Sequence, residues 1–293
     1  MKVEPECTAC IINRAVAEVQ EATTNPALRF RTMSELLRLL TKEFKPTAVP
    51  ADLGTKRDRL IKRITDNDDP CKRSKKLSNE KALKLLPYAR KLVEEGYAQE
   101  DRFKKACLCA IVGNTMEFDI PGHRFTFNTL KKNLREAGKD LVIDDTSKIY
   151  ELAKRARAVL YLTDNAGEIV FDTLLVEQLK NMGLNVIAAV KGEPIFNDAT
   201  VEDAEFSGMN KIVDKIITTG TDAIGLDMEE VSQDFLNVYN SVDLVFAKGM
   251  GYAETLTECK LKRPHVLLLR TKCNPVANYF CAPREKNIAK LMP

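Results

Sequence analysis

An apolar run from Ala158 to Leu162 breaks off at Asp164 and Asn165, and Gly167 then opens a segment carrying Ile169, Phe171, Leu174, Leu175, Val176 and Leu179. A short apolar run, a polar break and an amphipathic stretch predict strand, tight turn and helix. The pattern recurs in the apolar runs Asn185 to Val190, Lys215 to Thr218, Leu244 to Ala247 and His265 to Leu269, with longer helical stretches between them, Glu229 to Tyr239 among these. Strands apolar on both faces and alternating with helices predict an α/β fold, a Rossmann-like, doubly wound and mostly parallel sheet.

Residues 1 to about 150 read differently. Cys10, Ile11, Ala15, Val16 and Val19 form one helical stripe, Leu36, Leu37, Leu39, Leu40 and Phe44 another, and Leu83, Leu86, Ala89, Leu92 and Val93 a third that stops at Gly96. Alternating β-type patterns are missing, so the expected organisation is an all-helical domain over 1–150 and an α/β domain over 151–293. A fourth stripe, Phe103, Cys107, Ala110 and Ile111, continues into Asn114, which either caps the helix after Gly113 or points an amide inward.

Composition narrows the chemistry. With 30% charged residues but a net charge of only +3, nothing favours a nucleic-acid or membrane-surface partner, and a small-molecule ligand is expected. No apolar run approaches a membrane span and the polar start lacks a signal peptide's features, which predicts a cytoplasmic protein. The 8 cysteines are then free thiols or metal ligands rather than a disulfide framework. Tryptophan is absent and histidine is limited to His123 and His265, so acid–base and metal chemistry falls to carboxylates, amides, lysines and thiols.

Ligands of open α/β sheets bind beyond the carboxyl ends of the strands, so the residues just after each apolar run are the first candidates for a site. Asp164-Asn165 comes after the first; Lys191-Gly192-Glu193-Pro194 and then Asn197-Asp198 after the second; Thr219-Gly220-Thr221 after the third; Lys248-Gly249-Met250-Gly251 after the fourth; Arg270-Thr271-Lys272-Cys273-Asn274 after the fifth. Asp164, Asn165 and Asp198 offer only hard oxygen donors, a set suited to Mg²⁺ or Mn²⁺ with Co²⁺ or Ni²⁺ able to substitute. Lys248, with the amides of Gly249 to Gly251 as an anion nest, is the natural cation for a phosphate. The competing structural reading makes Asp164-Asn165 an Asx turn and Lys248 a solvated loop lysine. A dinucleotide site is disfavoured, because the first turn holds a single glycine and Gly249-Met250-Gly251 lacks the third. Cys7 and Cys10 stand at helical i, i+3 spacing, with Cys71 as a third thiol for a second metal or for structural packing.

These segments together resemble the metal-dependent damage-control phosphatase family, formerly a domain of unknown function. Asp164-Asn165-Ala166-Gly167-Glu168 matches D-N-x-G-E, Asn197-Asp198-Ala199-Thr200 matches N-D-x-T, and Lys248-Gly249-Met250-Gly251 with Glu254-Thr255 matches K-G-x-G…E-T. Asp69-Pro70 with Lys75, and Gly113-Asn114 with Glu117-Phe118, resemble the family's other segments, and Cys7/Cys10 resembles the branch with an N-terminal C-x-x-C. The resemblance implies hydrolysis of phosphomonoesters of small metabolites, such as sugar phosphates or damaged ones, by a divalent metal on Asp164, Asn165 and Asp198. Asp164 and Lys248 would carry the catalysis, Asp164 by direct attack or alongside a metal-activated water. Asn114, Glu117, Lys75, Glu168, Gly249, Gly251 and Glu254 would contact the substrate. Glu117 and Cys71 depart from the family's usual residues on the substrate side. The alternatives are a thiol-metal module on Cys7, Cys10 and Cys71, or an adenosyl-cofactor methyltransferase, whose glycine-rich first loop is missing.

Overall fold

The protein's structure is a computed structural model that describes residues 1–114 and 127–292. In chain order the helices are α1 (Cys7–Ala22), α2 (Pro26–Glu43), α3 (Pro50–Thr65), α4 (Lys72–Glu94), α5 (Gln99–Gly113), α6 (Phe127–Glu136), α7 (Thr146–Ala153), α8 (Glu168–Asn181), α9 (Val201–Ser207), α10 (Gln233–Ser241), α11 (Gly249–Leu256) and α12 (Asn274–Tyr279). The strands are β1 (Leu141–Asp144), β2 (Ala158–Leu162), β3 (Asn185–Val190), β4 (Lys215–Thr218), β5 (Leu244–Lys248), β6 (His265–Arg270) and β7 (Asn287–Met292).

They form one seven-stranded sheet in the order β1-β7-β6-β5-β2-β3-β4. Every pairing is parallel except β6 with β7. The doubly wound, mostly parallel architecture expected from the apolar runs is the one observed. At β2 the chain winds outward through β3 and β4, then returns to β5 on the other flank, so the switch point of the topology lies between β2 and β5. There Leu160 pairs with Ile187 on one side and Val245 on the other.

Two strands escaped the sequence pattern. β1 lies in the stretch read as purely helical; it has four residues, alternately half-buried and exposed, too few for periodicity to register. β7 returns antiparallel to β6 at the chain's end and pairs with both β6 and β1. Among the described residues no helix is long and apolar enough to cross a membrane.

The helical part is not a separate body laid on the sheet. One core runs from Leu85 of α4 and Phe103 and Ile111 of α5 into Phe171 and Leu174 of α8 and Phe246 of β5. Helices α1, α2 and α3 close around a smaller core of their own, with Ile11, Val19, Leu36, Leu53 and Ile61. Helix α3 then reaches the sheet's loops: Lys62 donates to the Pro194 carbonyl at 2.8 Å and pairs with Asp222 at 2.7 Å, and the Phe196 amide donates to Asp58 at 2.5 Å.

Asn79 of α4 ties the helices to the turn after β2. Its amide donates to Asp203 at 2.7 Å, its carbonyl accepts from the Gly167 amide at 2.6 Å, and it is 3% exposed. Removing that amide strands two buried polar groups. Asn79→Ala is therefore expected to lower unfolding stability by about 2–4 kcal/mol in denaturant titration; a change below about 0.5 kcal/mol, the range of an ordinary surface substitution, would contradict this tie.

Candidate active site

The loops after β2 and β3 are zipped together by the backbone. Ala166 N–H donates to the Asn197 carbonyl at 2.9 Å, Ala199 N–H donates to the Asp164 carbonyl at 2.8 Å, and Asn165 and Asp198 form an isolated antiparallel bridge. Side chains separated by more than thirty positions, Asp164, Asn165 and Asp198, thereby converge on one point beyond the strand ends.

The side chains complete the arrangement. Asp164 Oδ2 accepts from the Asn114 amide at 2.6 Å and the Asn165 amide at 2.7 Å. Both amides also donate to Glu168 Oε2, Asn165 at 2.9 Å. The other oxygen of Glu168 accepts from Lys248 Nζ at 2.5 Å, and Lys248 pairs further with Asp172 at 2.9 Å and the Ala110 carbonyl at 2.9 Å. Tyr161 donates to Asp172 at 2.8 Å. On the far side, the Lys191 ammonium donates to the carbonyls of Ala223 and Gly225 at 2.7 Å each, lies over the Tyr252 ring at 4.8 Å and faces Asp198 at 3.6 Å.

Helix α11 begins where β5 ends, and only glycine fits that position. Gly249 has φ +82°, and a Cβ built on it falls 1.8 Å from Asp164 Oδ2. The backbone of Gly249 thus forms the floor on which the Asp164 carboxylate rests.

Burial first, then the charges of Glu168 and Asp198, push Asp164 well above the ordinary carboxyl range. Burial also raises Asp172 and Asp198 against the pull of their lysines. Burial depresses Lys191, whereas for Lys248 the carboxylates of Asp172 and Glu168 outweigh burial and hold the ammonium above its usual value. Asp164, Glu168, Asp172 and Asp198 set four negative charges against the two positive charges of Lys191 and Lys248. With all four ionised, the carboxylates outnumber the two ammonium groups by two, and Asp164, Asn165 and Asp198 offer hard oxygen donors, so the residues fit Mg²⁺- or Mn²⁺-type binding.

A cavity of about 310 Å³ opens onto this cluster, and Asn114, Asp164, Asn165, Asp198, Gly251, Glu254, Cys7 and Cys10 all line it. Glu168, Lys248 and Gly249 lie behind that wall. Instead of the loop position expected for a phosphate contact, Lys248 is fully buried with three acceptors around its ammonium, so it acts on the cavity through Glu168. Lys75 is held by Asp69 at 3.2 Å and Asp203 at 3.8 Å, away from the cavity wall. Glu117 lies outside the described residues. Cys71 is buried at the start of α4, where desolvation and then the charges of Glu18 and Asp58 raise its thiol; the thiol that joins Cys7 and Cys10 on the cavity wall is Cys273. All 8 cysteines are free, and among the described residues no three His, Cys, Asp or Glu side chains are arranged to hold a metal. The Asp164-Asn165-Asp198 set contains an amide and falls outside that description.

Asp172 belongs to the site although the strand-end pattern does not reach it, and Lys191, which that pattern includes without a role, belongs to it as the partner of Asp198. Both carry a signal: Asp172 interrupts an apolar helix one turn after Glu168, and Val190-Lys191-Gly192 repeats the strand-Lys-Gly junction of Ala247-Lys248-Gly249.

The family model of the damage-control phosphatase ARMT1-like domain matches residues 3–288. The chain belongs to this family. It is 37% identical to a damage-control phosphatase of Archaeoglobus fulgidus, covering 94% of both chains. It is 35% identical to a damage-control phosphatase of Pyrococcus horikoshii, over 97% of this chain and 96% of the relative, and 38% identical to an uncharacterised protein of Methanocaldococcus jannaschii, over 94% and 91%. The crystal structure of a DUF89 family protein from Pyrococcus horikoshii superposes with a TM-score of 0.88 at 35% identity, covering 99% of this chain and 98% of that one.

Two glycine variants separate backbone strain from damage to the site. Gly183 has φ +86° with open space around a would-be Cβ, so Gly183→Ala costs strain alone, about 1–2 kcal/mol. Gly249→Ala adds the collision with Asp164 and is expected to lose phosphomonoester turnover as well as stability. Thermal melts with steady-state rates on both variants check this; parent-like turnover in Gly249→Ala would show that Asp164 does not rest on that backbone.

Proposed function

We propose that this chain is a metal-dependent phosphomonoester hydrolase acting on small phosphorylated metabolites, sugar phosphates or damaged phosphometabolites, with one divalent cation held by Asp164, Asn165 and Asp198. The observation that carries the reading is the zipped pair of loops at the switch point. It brings three hard oxygen donors together beside a cavity of small-metabolite size, in a buried cluster two positive charges short. The names of the archaeal relatives support the hydrolase class. When bound, the cation supplies Lewis-acid polarisation of the phosphoryl group.

The chain's own residues do the rest. Asn114 and Asn165 hold one oxygen of Asp164, which leaves the carboxylate fixed in orientation for its task as base or nucleophile toward phosphorus. Glu168, between Lys248 and the two amides, locks Asn114 and Asn165 in the orientation that presents N–H to the carboxylates and carbonyl oxygen elsewhere. Lys191 orients Asp198. Gly251, Glu254 and Asn114 line the part of the cavity left for the body of the substrate.

A panel of phosphomonoesters assayed with metal-stripped protein, adding back Mg²⁺, Mn²⁺, Co²⁺ or Ni²⁺, tests the reading. Phosphate release is expected with a divalent cation and not in chelator; equal turnover in chelator would overturn it. Asp198→Ala removes one of two charged ligands, so the metal concentration for half-maximal activity is expected to rise roughly a hundredfold or more. An unchanged metal requirement would take Asp198 out of the ligand set.

A further inference from the structure

Asp198 reaches the cavity on a backbone conformation that phenylalanine rarely adopts. The Asp198 N–H donates to the Ile195 carbonyl at 3.0 Å, which closes a four-residue turn with Phe196 and Asn197 at its centre. Phe196 sits there at φ +43°, in the left-handed region that such turns ordinarily give to glycine or asparagine. Its Cβ disfavours that region, so the surroundings of the turn have to hold it there.

The hold comes from the helical part of the chain. Asp58 of α3, fully buried, accepts the Phe196 N–H on Oδ2 at 2.5 Å. Its other oxygen accepts from Arg57 Nε at 3.1 Å and Nη2 at 2.5 Å, and Arg57 Nε also pairs with Glu18 of α1 at 3.3 Å. The Arg57 guanidinium lies over the Phe196 ring at 5.4 Å, and Arg14 of α1 lies over the same ring at 5.2 Å. Two residues adjacent in sequence, Arg57 and Asp58, thus grip both the side chain and the backbone of Phe196. One turn further along α3, Lys62 donates to the Pro194 carbonyl at 2.8 Å, just ahead of the turn. From the opposite side, the Ala166 N–H on the Asn197 carbonyl and the bridge between Asn165 and Asp198 join the turn to the loop after β2. The turn is clamped between α3 and the loop that carries Asp164 and Asn165, and Asp198 emerges from the clamp.

We propose that Asp58 is a positioning residue: by holding the Phe196 amide it keeps the turn in its left-handed conformation and so sets the Asp198 carboxylate in register with Asp164 and Asn165. This rests on the reading of those three residues as the holders of a divalent cation. Asp58 is not part of the cavity wall and acts through the turn alone. Groups that stand behind metal-binding side chains in this way commonly alter metal affinity by about ten- to hundredfold when removed.

The test measures Mn²⁺ affinity of the metal-stripped full chain through the loss of the free-ion paramagnetic resonance signal, at a temperature where circular dichroism shows every variant folded. Asp58→Ala is expected to bind Mn²⁺ about ten- to hundredfold more weakly than the parent. Glycine takes positive φ without the Cβ penalty, so in a Phe196→Gly chain the turn needs no outside hold, and the same Asp58→Ala step is expected to change affinity by less than about threefold. A carboxylate that only stabilised the fold would leave Mn²⁺ affinity of the folded protein unchanged in both chains. If Asp58→Ala does not fold, Arg57→Met with Asp58→Leu removes the buried pair as a unit and gives the same comparison. Parent-like affinity in the folded variant, or an equal loss in both backgrounds, would overturn the proposal. A parent that binds Mn²⁺ with this dependence on Asp58 yet hydrolyses no phosphomonoester sinks the hydrolase reading and leaves the positioning role standing; a parent that binds no Mn²⁺ overturns both.

Discussion

Four carboxylates buried side by side repel one another, and the structure of this protein is arranged around that cost. Lys248 ends β5 and Lys191 directly follows β3, each is followed by glycine, and each turns its ammonium back into the protein rather than out to water. Each is surrounded by acceptors, so the desolvation penalty of a buried charge is met by direct pairing. Buried ion pairs of this kind add little net stability compared with an apolar core of the same volume. Their retention is better explained by what they fix: Glu168 and Asp198, and through these the amides and the carboxylate at the cavity.

The same requirement explains why helical region and sheet share a core. Asn114, at the end of α5, must reach both Asp164 and Glu168, and the carbonyl of Ala110 one turn earlier is an acceptor for Lys248. Helix α5 therefore packs directly on α8, whose first residue is Glu168. Helix α4 does the same at the other end of the turn, where Asn79 takes the Gly167 amide. The end of α5, the start of α8 and the N-terminal half of α4 meet at a single turn of chain, and the close packing of that junction leaves Gly167 no room for a side chain: a Cβ there would lie 3.0 Å from Ser78.

Much of this was legible in the sequence, because parallel strands buried on both faces are written as apolar runs. β2, β3 and β4 coincide with those runs residue for residue, and β5 and β6 each extend one residue further. Two strands were not legible: β1, at one edge, is short and half-exposed, and β7 pairs antiparallel with β6, so neither carries the pattern of a buried parallel strand. At the site, Asp164 and Asn165 announced themselves as polar residues just past the end of one apolar run, and Asp198 as a carboxylate in the loop after the next. What the sequence concealed was direction. Nothing in Ala247-Lys248-Gly249 says whether the lysine faces the ligand or the core, and the answer depends on Glu168 and Asp172, which stand eighty and seventy-six positions away. Cys273 is another such case, a thiol brought beside Cys7 and Cys10 only by the return of the chain through β6.

The central claim is that the buried cluster is two positive charges short and that a divalent cation completes it. Thermal melting of metal-stripped protein against Mn²⁺ concentration measures this without relying on any substrate. Binding to the folded state alone predicts a saturable rise in melting temperature, equivalent to about 2.7 kcal/mol at a free concentration one hundred times the dissociation constant, with one ion bound per chain. A melting temperature indifferent to Mn²⁺ through the millimolar range would contradict it.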